Sequence, residues 1–345
     1  MSFDDAINTA SQLGGKKHIL LGNGFSIGAH QKFKYGTLYQ QAVNSGLPSH
    51  IKQLFDHYGT ANFEEVLRQL EQGQWLADHY SLGKSSKNLD MATDYETVKQ
   101  ALIDSIAANH PESRGQVSVL KLLRASRFLA SFNDVYTTNY DLLLYWASLV
   151  GNNFAFEDGF GREPRTDEEF CVFLPVGSGS KHIYFLHGAL HLYTWGGEVR
   201  KMVWNTTGVT LIDQIKEALD FRRYPLVVSE GSSARKVARI EASSYLSYCS
   251  RKFENIQGNL FTYGMSLSSQ DRHIANWIVM NTTLQRLFVG VYGDPSYGEA
   301  FELVERSREL IRQRKQVLYS GRTARRFKKE ELEVYFFDSS TASVW

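Results

Sequence analysis

The sequence predicts an α/β fold, a mainly parallel sheet covered on both faces by helices and carried in one domain with a helical insertion. Three observations predict it. About six short apolar runs alternate with segments of helical spacing, as parallel strands alternate with their crossovers. Several of these runs stop abruptly at small or polar residues, as buried strands do where they end beneath a site. The first, residues 17–22 (KHILLG), leads into Gly22-Asn23-Gly24 and a helix start, the opening unit of a Rossmann-like nucleotide-binding sheet.

Composition fits that class. The chain is 43% hydrophobic and 22% charged, enough for a sizeable core. A formal net charge of +1 gives no general attraction to nucleic acid or an anionic membrane. Cys171 and Cys249 are far apart, which excludes a four-cysteine zinc module and a disulfide framework and fits a reducing compartment. No basic-then-apolar leader is seen, and no apolar run approaches roughly 18 residues. The expectation is a cytoplasmic protein without a membrane segment.

In chain order, strand 17–22 is followed by residues 47–130, where FEEVLRQLEQGQWLADHY, YETVKQALIDSIAANH and QVSVLKLLRASRFLASF carry apolar residues at three- and four-residue spacing. This is the helical insertion. Strand 134–138 stops at Asn139. Residues 151–222 are an excursion from the sheet, irregular over 151–180 and interrupted by strand 182–186, with a hairpin at 191–204 and a helix at 210–222. Strand 225–231, helix 233–255 and strand 260–264 follow, then a helix entered near Ser269–Asp271. Strands 287–293 and 333–338 flank a helix at 297–314.

In such sheets ligands bind beyond the carboxyl ends of the strands. Gly22–Gly24, Asn139, His187, Glu230 and Gly264–Ser266 all fall at such ends. Glycines there let backbone N–H groups approach a pyrophosphate, although a tight strand–helix turn without ligand reads the same way. Asn139 both donates and accepts, which suits a ribose hydroxyl or an attacking water. Asp141 and Asn139 are also natural caps for the following helix. His187, ending an apolar run before Gly188, is either a core histidine or a general base. His182 and His191 lie near it in sequence, but no neighbouring carboxylate or cysteine completes a ligand set, so no metal is expected. Gly264-Met265-Ser266-Leu267 with Asp271 reads as a second phosphate or ribose loop, with capping by Ser269 or Asp271 as the competing reading.

Taken in order, Gly22, Gly24 and Ser26, then Thr137, Asn139 and Asp141, then Leu186-His187-Gly188, then Gly264, Ser266 and Leu267 resemble the NAD pocket of the sirtuin family. The resemblance covers roughly 17–30, 131–146, 182–190 and 224–292. It implies NAD as substrate, bound through Gly22, Asn23, Gly24, Phe25, Ser26, Thr138, Gly264, Ser266 and Asp271. It implies Asn139, His187 and Asp141 as catalytic residues, with His187 as base. The zinc cysteines and a Pro-x-Phe-Arg substrate segment of the deacetylases are missing. With Asn62-Phe63-Glu64-Glu65-Val66-Leu67 and Asp271-x-His273-Ile274, the chain is most similar to the zinc-free bacterial branch of anti-phage defence, whose members hydrolyse NAD. That resemblance implies NAD+ hydrolase activity restrained by a homo-oligomer or by a partner such as an ATPase. Deacylation, ADP-ribosyl transfer and NAD sensing without turnover are the alternatives. Residues 312–329, rich in Arg and Lys, read as a solvated surface or a partner-facing one, with nucleic acid as the weaker reading.

Overall fold

The computed structural model describes residues 1–82, 90–151, 156–161, 170–175, 181–203, 209–221, 223–319 and 331–345. Its strands are β1 (Lys17–Leu21), β2 (Asp134–Thr137), β3 (Phe156–Glu157), β4 (Phe170–Val172), β5 (Lys181–Phe185), β6 (Gly188–Trp195), β7 (Glu198–Met202), β8 (Pro225–Val227), β9 (Gly258–Tyr263), β10 (Leu284–Val291) and β11 (Glu333–Asp338). Seven of them form one sheet in the order β11-β10-β9-β1-β2-β5-β3, every pair parallel. The expected α/β architecture is the observed one.

The central strands read as near-continuous apolar runs because helices cover both faces. Ile19, Leu20 and Leu21 of β1 have no exposed surface, nor do Leu260 and Phe261 of β9. Register is fixed by cross-strand aromatic contacts, the sheet counterpart of helical side-chain pairs. Phe261, Phe288 and Tyr335 sit opposite one another on β9, β10 and β11, with ring centroids 4.5 and 4.8 Å apart. The N-terminal helix Phe3–Leu13 begins with a capping box in which Ser2 and Asp5 bond each other's backbone N–H. Its Phe3 packs on Phe128, Phe261 and Phe337.

The insertion is helical as expected, with helices Ser49–Tyr58, Phe63–His79, Met91–Asn109 and Val119–Ala130. A second, antiparallel sheet (β4-β7-β6-β8) holds the expected hairpin, here β6 and β7.

Three expectations need correction. The run 225–231 does not join the parallel sheet: only Pro225–Val227 is strand, and it pairs antiparallel with β6. Its first residue, a proline, has no N–H to give a ladder, which suits a short edge strand. The helix expected over 233–255 is two helices, Ser233–Glu241 and Ser244–Glu254, because Ser243 caps the second by accepting from Leu246 N–H. The basic stretch is partly structural: Arg314 is buried and donates to the carbonyls of Ile278 and Leu284, while Arg312 pairs with Glu309 and Lys315 with Glu331. Arg322, Arg325, Arg326, Lys328 and Lys329 lie outside the described residues. Among the described residues no helix is long and apolar enough to cross a membrane.

Candidate functional site

A cavity of about 780 Å³ opens above the carboxyl ends of β1, β2, β5 and β9. These strands lie either side of β1, where the chain reverses its order of strand placement, and open sheets bind ligands at that point. Asn23, Gly24, Thr138, Asn139, Asp141, His187, Gly264, Ser266 and Asp271 all reach its wall. Residues spread over some 250 positions of sequence are thus brought together. The insertion closes one side with Asn62, Glu64, Leu102 and Ile106.

The two glycine loops pack on each other. Gly22 N–H donates to Tyr263 O and Gly24 N–H to Gly264 O, each over 3.0 Å. A Cβ on Gly22 or Gly24 would stand 2.5 Å from Gly264 backbone atoms, so glycine is required for this approach. Two of the amides expected to cradle a pyrophosphate are therefore already used between loops. Phe25 and Ser26, also expected at the ligand, are fully buried behind the loop and absent from the cavity wall.

Ser26 instead belongs to a chain of hydrogen bonds. Its hydroxyl donates to Asp141 Oδ2 over 2.5 Å and accepts from Asn139 Nδ2 over 2.8 Å. The second Nδ2 proton of Asn139 goes to Gly22 O over 3.0 Å. A carbonyl can only accept, so the amide nitrogen must face it, and Oδ1 is what Asn139 presents to a ligand. Asp141 accepts at Oδ1 from the N–H of Leu143, the first residue of the helix Leu143–Ser148, and also lines the cavity. Burial raises the Asp141 carboxyl above its ordinary value, against the pull of Ser26.

His187 follows β5, and Gly188 turns the chain at φ +76°. A Cβ at 188 would lie 1.8 Å from Leu226 O, so no other residue fits there. His187 Nε2 is 2.9 Å from His273 Nε2, and His273 Nδ1 is 3.3 Å from Ser233 Oγ. Burial lowers the His187 imidazole well below its ordinary value and His273 to about 4, although the nearby Asp271 carboxylate pulls both upward.

Asp271 stands at the N-cap of the helix Arg272–Met280, but its side chain makes no capping bond and is engaged elsewhere. Its Oδ1 accepts from Lys236 Nζ over 2.9 Å, and the same ammonium donates to Glu64 Oε2 over 2.9 Å. Burial opposes every charge in this triad. The two carboxylates nonetheless hold Lys236 above its ordinary value, and the ammonium holds Asp271 below its own. Tyr140 Oη joins them, 2.6 Å from Val228 O and 3.3 Å from Glu64 Oε1.

His187, Asp271 and His273 also correct the expectation that nothing completes a ligand set about His187, since their ligand atoms all lie within 4.8 Å of one another. Sequence proximity pointed to His182 and His191 instead. His182 bonds Asp134, and His191 is buried against Tyr145 and Phe185. Glu230 is not on the cavity wall but pairs with Lys99. Ser266 is on the wall, with its carbonyl accepting from Arg306. Lys236 and Ser233 carried no signal in the sequence, since both sit in an ordinary amphipathic helix, and Glu64 entered only through the resemblance, with no role.

One family matches the chain, over residues 19–345. The chain belongs to the family described as Domain of unknown function (DUF4917). No curated protein matches this DUF4917 chain. A solved structure titled "Structural Basis for the Mechanism and Regulation of Sir2 Enzymes" is similar to it at TM-score 0.34 and 12% identity, over 90% of this chain and 99% of that one. Likeness at that level is too slight to carry residue roles across.

Proposed function

We propose that the chain binds NAD in this cavity and cleaves the bond between nicotinamide and ribose, giving nicotinamide and ADP-ribose. The observation that carries the reading is the meeting of Asn139 and His187 on one cavity wall at the strand-order reversal of a parallel sheet. The volume of about 780 Å³ lies within the usual range for cofactor sites. With the Gly22 and Gly24 amides used between loops, the cations on the wall that a pyrophosphate would meet are Lys34 and Arg306, the latter also paired with Glu302.

In the reaction, the bond from ribose C1′ to the pyridinium nitrogen breaks and its electron pair leaves with neutral nicotinamide. Water oxygen bonds to C1′ and its proton passes to His187, which burial keeps neutral beforehand and whose protonated form the nearby Asp271 carboxylate favours. Asn139 Oδ1 accepts from a ribose hydroxyl or the water and fixes its direction. Asp141 acts through Ser26, which orients the Asn139 amide, so we assign it positioning rather than contact with the cation. Attack by a ribose hydroxyl in place of water would give a cyclised product.

The test is incubation of purified protein with NAD, following nicotinamide and ADP-ribose by chromatography, beside His187→Ala and Asn139→Ala. Products from the wild type that vanish in both variants support the reading. Turnover that survives in both removes this cavity as the active site.

A further inference from the structure

Two buried histidines whose Nε2 atoms stand 2.9 Å apart must share one proton, one ring donating and the other accepting. His187 has no hydrogen bond at Nδ1 among the described residues, and its ring reaches the cavity wall. A neutral ring that accepts a proton from the cavity at Nδ1 must carry its own proton at Nε2. That proton points at His273 Nε2, which then has to be the unprotonated nitrogen of its ring. His273 is left with a proton on Nδ1, and there Ser233 Oγ stands 3.3 Å away to receive it. Each step dictates the next.

We propose that His273 is a positioning residue that selects the Nε2–H tautomer of His187 and so aims the Nδ1 lone pair into the cavity. Ser233, at the start of the helix Ser233–Glu241, offers its Oγ as the acceptor of the His273 Nδ1 proton. The principle is that of any catalytic histidine whose free nitrogen is set by the bond the other makes. When Nδ1 takes a proton, the charge is shared across the two rings beside the Asp271 carboxylate. The cluster could in geometry hold a divalent ion, but the Lys236 ammonium on Asp271 already supplies a positive charge there, and a second would be repelled.

The choice between the two directions of this chain rests on the proposed role of His187 as a base; measuring it needs no nucleotide. Nitrogen NMR on the full chain labelled with ¹⁵N-histidine tests it, with resonances assigned through His187→Gln and His273→Gln. The expected result is a proton on Nε2 of His187 and on Nδ1 of His273, with scalar coupling between the two Nε2 atoms. His273→Gln, whose Oε1 can still accept, should keep the His187 tautomer, whereas His273→Phe should let it scramble. Should His273→Phe fail to fold, the wild-type and Gln spectra decide alone. A proton on Nδ1 of His187, or His187 signals unmoved in His273→Phe, would overturn the proposal. So would visible d–d bands on adding Co²⁺ that disappear in His273→Gln, which would make the pair metal ligands. With NAD, His273→Phe should lose roughly 10²-fold in kcat, within the usual worth of general base catalysis, with NAD affinity unchanged and the Gln variant largely rescued. Calorimetry showing no NAD binding would sink the NAD reading and leave the tautomer result standing.

Discussion

Lys236 is the most exacting residue of the site, an ammonium with no exposed surface held between Glu64 and Asp271. Replacing it by Met leaves two buried carboxylates without their cation, and we expect a loss of about 3–5 kcal/mol, read as a lowered urea midpoint. His187→Ala should cut turnover by roughly 10²–10⁴-fold while leaving NAD affinity within a few-fold, as removal of a base does. The histidines also set a pH dependence. Burial lowers His110 and His273 to about 4, and lowers His187 and His191 well below their ordinary value. Such groups stay neutral in the fold but protonate in the unfolded chain below about 6.5. Stability should therefore fall as pH drops from 7 towards 5, at up to about 1.4 kcal/mol per pH unit for each histidine. The carboxyls that burial raises, Glu64, Asp104, Asp141 and Glu254, work in the opposite sense and offset part of that loss. Equal urea midpoints at pH 7 and pH 5 would contradict this. At this scale Asn139 and His187 were legible, because they end apolar runs. The groups around them were not: Ser233 and Lys236 are distant in sequence and sit in a helix of unremarkable pattern, and His273, noted only through the resemblance, gave no sign of its contact with His187.

Among the elements, the glycine loops behave as a pair. Their glycines look in sequence like phosphate loops, but in the fold they permit the contact between Gly22–Gly24 and Gly264. Gly188 does the same between His187 and β8, where a methyl group would overlap Leu226 O. Gly188→Ala should displace His187 or unfold β6, so we expect poor solubility or a Tm lowered by several degrees in thermal melts. An unchanged melt and unchanged His187 NMR signals would refute that account. The long strands and most of the insertion's helices were legible from periodicity, since buried parallel strands leave apolar runs and amphipathic helices leave stripes, whereas the N-terminal helix, the helix Tyr35–Asn44 and the short β3 and β4 were not read. The sheet to which a strand belongs was not. Residues 225–231 have the look of a parallel core strand, yet pairing with β6 is decided by tertiary contact at Gly188–Val227.

For the whole molecule, sheet order places the cavity and the insertion gives it a wall. The insertion read in sequence as a separate helical block, and nothing in its spacing showed that Asn62 and Glu64 would face the strand ends. A cell expressing an unrestrained NAD hydrolase should lose NAD and stop growing, and Asn139→Ala should relieve both, as measured by NAD content and culture density. The central claim is that this cavity takes NAD, and calorimetric titration of NAD into the purified chain tests it without depending on turnover. Saturable binding at one site is expected, abolished by Thr138→Trp, which would fill the cavity beside the glycine loops. No binding heat in the wild type, or equal binding in Thr138→Trp, would contradict it.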